Sequence, residues 1–178
     1  MGNRGGRLHD PETGTIRRRQ GSRAWIACAL AFKGRRREVM GHGYTELFFL
    51  DEAVALAAGH RPCFECRRAE ARAFAAAWAA GHGLSAPPRA PEMDRVLDAE
   101  RRAPSAQGGV ASLPPGAVFA RDGTAYLKLS DAVRPFGWAG WGAPQPLPSG
   151  AVERLTRPAV VAVLAAGYAP RLHPSAHS

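Results

Sequence analysis

Cys63 and Cys66 lie two residues apart at the mouth of an arginine-rich helical segment, and no other feature of the sequence constrains the local chain as tightly. Two thiolates in a Cys-x-x-Cys turn can hold one tetrahedral zinc ion. A helix beginning directly after them points the positive end of its dipole at the anionic sulfurs. Arg67 and Arg68 follow at once and are expected to lower the thiol pKa values further. The chain holds three cysteines, an odd number, so it does not describe a disulfide framework and fits a reducing, cytoplasmic setting. A thiol-disulfide centre would need a βαβ context that the surrounding pattern lacks. The pair is therefore read as a metal scaffold, with zinc the expected ion.

Structural zinc takes four ligands, and the other candidates are Cys28, His9, His42, His60 and, more remotely, His173. In Leu8-His9-Asp10 a neighbouring carboxylate could orient the imidazole, as happens for metal-bound histidines. The metal set read from the sequence is accordingly Cys63, Cys66 and His9. Cys28 shares a face with Ile26, Leu30 and Phe32 and reads first as a buried free cysteine in a strand. His60 would extend the pair to His-x-x-Cys-x-x-Cys, a geometry hard to close on one short loop. His42, between two glycines, fits a turn as well as a ligand.

Around this knuckle the chain alternates short strand and helix signals, which points to an α+β fold with small antiparallel β-meanders and three to four helices around one core. Residues 1–23 read as an extended basic arm. Period-2 alternation over 24–32, a hairpin turn at 33–36, a return over 37–40 and an aromatic run at 44–50 describe the first meander. Asp51 is placed to cap a helix over 52–58 that Gly59 ends. A second helix over 67–80 carries the stripe Ala71, Phe74, Ala75 and Trp78, and a third, strongly charged one covers 92–102. After a linker at 103–112, the Asp122-Gly123 hairpin opens a second meander, and a last apolar helix runs from Pro158 to the stop at Gly167. Two parts follow: residues 1–103, the knuckle module with its arm, and residues 104–178, packed as one unit with the first. No apolar stretch approaches the roughly 20 residues of a membrane span, and no secretory signal is evident.

The net charge is +9, and residues 1–40 hold ten Lys/Arg against three Asp/Glu. That imbalance suits a polyanion, so nucleic acid is the expected partner, contacted by Arg17, Arg18, Arg19, Lys33, Arg35, Arg36, Arg37, Arg67 and Arg68. Trp138, Trp141 and Tyr126 are candidates for stacking on bases.

Residues 47–67, Leu-Phe-Phe-Leu-Asp-Glu-Ala-Val-Ala-Leu-Ala-Ala-Gly-His-Arg-Pro-Cys-Phe-Glu-Cys-Arg, resemble the second half of the metal-binding domain of the Ada family of bacterial DNA methylphosphotriester-repair proteins. The match covers about an eighth of the chain. It implies that Cys63 and Cys66 are zinc ligands and that His60 takes an aromatic position. The family's other two cysteines would fall near Phe32 and Arg36, where this chain has none, so methyl acceptance does not carry over. The functional expectation is a small zinc-binding, nucleic-acid-binding protein. A metal-dependent hydrolase or nuclease with an open zinc position, helped by His9 with Asp10 or by Glu65, is the alternative.

Overall fold

A computed structural model describes residues 1–34 and 38–177. The chain is α+β: among the described residues a three-stranded and a six-stranded sheet stand with four α-helices.

The first sheet is built from two-residue strands, β1 (Gly2–Asn3), β2 (Ile26–Ala27) and β3 (Arg61–Pro62), in the order β1-β2-β3. β1 runs antiparallel to β2, but β2 and β3 are parallel, with Ile26 opposite Arg61 and Ala27 opposite Pro62. This corrects the first meander. Only Ile26–Ala27 of the alternating run forms a strand, Leu30 is 77% exposed, and the 44–50 run supplies one isolated bridge, Gly2 to Leu47. The strand's partners come from residues 2–3 and 61–62, both far from it in sequence, so local alternation carried no information about them. The return strand expected at 37–40 lies partly outside the described residues.

Residues 1–23 are not a free arm either. Asn3, Leu8 and His9 are buried, and the Leu8 amide donates to Thr45 Oγ1 at 2.7 Å.

Asp51 caps α1 (Glu52–Ala57) by accepting the Val54 amide at 3.0 Å, and Gly59 takes the left-handed conformation (φ 79°) that stops the helix. α2 (Arg68–Gly81) buries the stripe Ala71, Phe74, Ala75 and Trp78. α3 (Ala90–Arg102) begins earlier than the charge pattern suggests, because the Glu92 carboxylate reaches back to the Arg89 amide at 2.6 Å.

The second sheet is wholly antiparallel, in the order β4-β9-β5-β6-β7-β8, built from β4 (Ala106–Gly109), β5 (Val118–Arg121), β6 (Thr124–Lys128), β7 (Val133–Gly137), β8 (Gly140–Trp141) and β9 (Ala151–Arg154). The β5–β6 turn sets both Asp122 (φ 49°) and Gly123 (φ 76°) left-handed, as a tight primed hairpin requires. β4 occupies the segment read as linker. Its Ala-Gln-Gly-Gly sequence has no strand signature, and β9 supplies the pairing. α4 (Pro158–Ala165) packs on α2, with the Gly81 backbone so close to Ala162 that a side chain there would clash.

The larger apolar core joins Phe74 and Trp78 of α2, Met93 and Leu97 of α3, Phe119 of β5 and Val160 and Val163 of α4. Beneath the first sheet, Arg61 reaches from β3 to α3 and forms a two-pronged pair with Asp94, both bonds 2.8 Å and both side chains under a tenth exposed. Such a pair is costly to break on one side, because the other charge stays buried. Asp94→Ala is expected to destabilise the protein by about 3–5 kcal/mol, seen as a lower urea midpoint. An unchanged midpoint would show that solvent reaches Arg61.

Candidate metal centre

The parallel pairing of β2 with β3 builds the site. Arg61 N–H donates to Trp25 O and Cys63 N–H to Ala27 O, each at 3.0 Å, so Cys28, one residue past β2, comes beside Cys63, one residue past β3. From Cys63 the chain turns at once into α2, with the Arg67 amide donating to Cys63 O at 3.0 Å, and this brings Cys66 back to the same point. Phe64 packs against the larger core, and the Arg61 guanidinium lies over its ring at 5.5 Å, which pins the turn from below.

The sulfurs of Cys28, Cys63 and Cys66 all lie within 4.8 Å of one another. Among the described residues this is the group of Cys, His, Asp and Glu side chains close enough to hold a metal ion. Backbone amides already face two of them: Glu65 N–H donates to Cys63 Sγ at 3.4 Å and Ala29 N–H to Cys66 Sγ at 3.3 Å. The Cys63 pKa is held well below that of an ordinary thiol, chiefly because the Cys28 thiol donates to its sulfur and then because amides point at it, against the opposing effect of burial. Cys28 is pushed up by that same hydrogen bond and by burial, and Cys66 is raised by burial. The cluster thus favours negative charge on the Cys63 sulfur over its two neighbours, and a thiophilic cation would take the place of the shared proton.

Arg67 does not supply that effect. Its guanidinium turns to the buried carboxylate of Glu52 at 2.9 Å, which also accepts from Tyr168 Oη–H at 2.7 Å and from the Arg171 amide at 2.9 Å.

All three cysteines border one pocket of about 220 Å³, walled by Ile26, Leu30, Val39 and Phe48, with Glu46, Glu65 and Met1 as the charged residues of its lining. Cys28 and Cys66, but not Cys63, also border a more open groove toward Arg67, Glu70 and His173.

His9, the third ligand expected from the sequence, is not brought to the cysteines. Its ring is buried, Nδ1 meets Thr45 Oγ1 at 2.5 Å and Nε2 meets Met40 O at 2.6 Å, so it ties residues 1–23 to the 40–45 turn. Cys28 stands in its place. His42 is exposed, and His173 caps the short helix Pro174–Ala176 through a contact with Ser175. His60 sits between the rings of Trp25 and Phe49 at 5.0 and 4.8 Å, an aromatic position, with Nδ1 on Ala58 O. The signal that could have selected Cys28 was arithmetic: it is the one remaining cysteine.

The basic residues are scattered by comparison. Arg17 pairs with Asp10, Arg18 donates to Arg7 O, Arg19 and Arg68 are exposed, and the Lys33 ammonium lies over Phe32. Arg35, Arg36 and Arg37 lie outside the described residues. Of the three aromatic candidates Trp138 is 95% exposed, whereas Trp141 is buried with its indole N–H on Asp51, and Tyr126 stacks on Phe119 at the core.

Family models, curated proteins and solved structures give no match to this chain. Among the described residues no helix is long and apolar enough to cross a membrane.

His60 makes the neighbourhood acid-sensitive. Burial, then the charges of Arg4 and Arg101, hold its pKa down to about 3, below the unfolded value of 6.5. The folded protein therefore resists a proton that the unfolded chain accepts, so stability is full above about pH 6.5 and is lost as pH falls toward 3. His60→Phe removes this term. Between about pH 7 and pH 5 the wild type should lose stability relative to the variant by up to about 1.4 kcal/mol per pH unit, measured by urea denaturation. Parallel curves for the two proteins would contradict a sealed His60.

Proposed function

We propose that this is a zinc-binding protein in which Cys28, Cys63 and Cys66 hold one ion through three thiolates, with the fourth coordination position open to the pocket that all three border. The observation that carries this reading is the convergence of every cysteine in the chain on one point, from two segments far apart in sequence. The donor set fits the metal: soft sulfur ligands, a tight Cys-x-x-Cys turn and amides directed at sulfur suit a tetrahedral thiolate site. The short helix α1 stopped at Gly59 and the Arg61-Pro62-Cys63-x-x-Cys66 turn after it support an Ada-like knuckle, in which Cys28, one residue past the parallel strand β2, stands where the family has its upstream cysteines.

Bound zinc would supply a redox-inert Lewis-acidic centre at which a fourth donor is held. The chain's own residues do the rest. β2 and β3 set the spacing of Cys28 and Cys63, the Ala29 and Glu65 amides neutralise part of the thiolate charge, and the Glu52–Arg67–Tyr168 contact locks the first turn of α2. Hydrolytic zinc centres are commonly built with histidine and carboxylate ligands, so an all-thiolate set favours a scaffold or a soft-ligand role over hydrolysis.

Nucleic-acid contact is a second reading. It rests on the exposed arginines Arg17, Arg18, Arg19 and Arg68, and its mark would be binding that weakens steeply as salt rises.

The test of the metal reading is direct. Purified wild type should carry one zinc per chain, and chelation should release thiols that were blocked before. Cys28→Ser and Cys66→Ser should each lose more than the roughly 100-fold in affinity that removing a ligand's hydrogen-bond partner costs, whereas His9→Ala should keep one zinc per chain. A wild type without metal, or a Cys28→Ser variant that keeps its zinc while His9→Ala loses it, would overturn the assignment.

A further inference from the structure

We propose that the open position of the three-cysteine centre takes an exogenous organic thiol with an uncharged, apolar body, seated in the pocket beside Cys28, Cys63 and Cys66. The inference rests on the metal reading above and goes beyond it by naming the class of ligand.

Three features of the pocket select this ligand. The first is position: among the described residues, the hollow of about 220 Å³ is bordered by all three cysteines, whereas the more open groove beside it misses Cys63, so a donor reaching a shared ion approaches from the former. The second is the wall. Leu30, Val39 and Phe48 are 77%, 55% and 60% exposed, yet all three line this one pocket. Large apolar side chains left in solvent around a concave site mark a surface that an apolar ligand body would cover. The third is charge. Three thiolates on a divalent ion leave a net negative centre, and the charged groups that line the pocket add to it, since Glu46, 7% exposed with Oε2 held by the Met40 amide at 3.1 Å, and Glu65 together outnumber the one ammonium there, that of Met1. A ligand body carrying its own carboxylates would meet net repulsion there.

The donor follows from the ion's existing partners. A thiolate-rich tetrahedral centre prefers a fourth soft donor, because sulfur matches the polarisability that the other three ligands already impose. Binding at an ion held by Cys28, Cys63 and Cys66 would break the thiol S–H bond and form a sulfur–metal bond in place of a water ligand. The proton passes to solvent through the mouth of the pocket. No electron changes hands, and the thiol is held as a thiolate in an apolar hollow.

Cobalt-substituted protein reports each stage separately. Cobalt bound by three cysteines should show sulfur-to-metal charge-transfer absorption and tetrahedral d–d bands. Titration with benzyl mercaptan should then raise the charge-transfer absorption by about a third, from three thiolates to four, and saturate. Glutathione, a thiol with a charged body, should bind at least about tenfold more weakly, and benzyl alcohol and phenylacetate should leave the spectrum unchanged. Phe48→Ala, read as thiol affinity per bound cobalt, should weaken benzyl mercaptan about tenfold, and Leu30→Ala gives the same readout if Phe48→Ala does not fold.

Absence of the cobalt signature would overturn the metal reading itself. A normal cobalt spectrum that benzyl mercaptan does not change would overturn the thiol site alone. Equal binding of glutathione, tighter binding of phenylacetate, or full affinity in both wall variants would show that the pocket does not select the ligand.

Discussion

Two backbone hydrogen bonds, Arg61 N–H to Trp25 O and Cys63 N–H to Ala27 O, align β2 with β3 in parallel, and the metal centre depends on that register. A shift by one residue would turn the neighbouring side chains to the opposite face and carry Cys28 away from Cys63. Two-residue strands do not hold a register alone. β1 closes the other edge of β2, the Cys28 amide donates to Met1 O at 2.7 Å, and the ring of His60 fills the space between Trp25 and Phe49 beneath.

Charged side chains fix this small sheet to the rest of the molecule. Arg61 leaves β3 for Asp94 on α3, while Glu52 at the start of α1 gathers Arg67, Tyr168 Oη and the Arg171 amide. The residues on either side of the Cys-x-x-Cys turn therefore reach different parts of the core. The turn is held at both ends while its sulfurs stay at the edge of a pocket. Apolar packing could supply stability, but directional ion pairs also fix where the turn points.

The α+β class, α1 with its Asp51 cap, the buried stripe of α2 and the Asp122-Gly123 hairpin were all legible in the sequence, because each rests on neighbours a few residues apart. The first sheet was not. Its strands come from residues 2–3, 26–27 and 61–62, and its pairing leaves no periodic trace. The same gap hid Cys28. Strand alternation put it on a buried face with Leu30, whereas the strand ends at Ala27 and Leu30 turns out to solvent. His9 shows the converse. A neighbouring aspartate suggested an oriented ligand, but burial against Thr45 and the Met40 carbonyl accounts for the ring instead. Arg67 likewise reads from the sequence as a phosphate contact beside the thiols, yet its guanidinium is half-buried against the carboxylate of Glu52.

X-ray absorption at the zinc edge of the purified, metal-loaded protein counts the scatterers around the ion and so tests the three-cysteine site itself. Three sulfurs at about 2.3 Å and one lighter atom at about 2.0–2.2 Å are expected in the thiol-free protein. A shell with two sulfurs and two nitrogens would place histidines where the structure puts Cys28 and would contradict it.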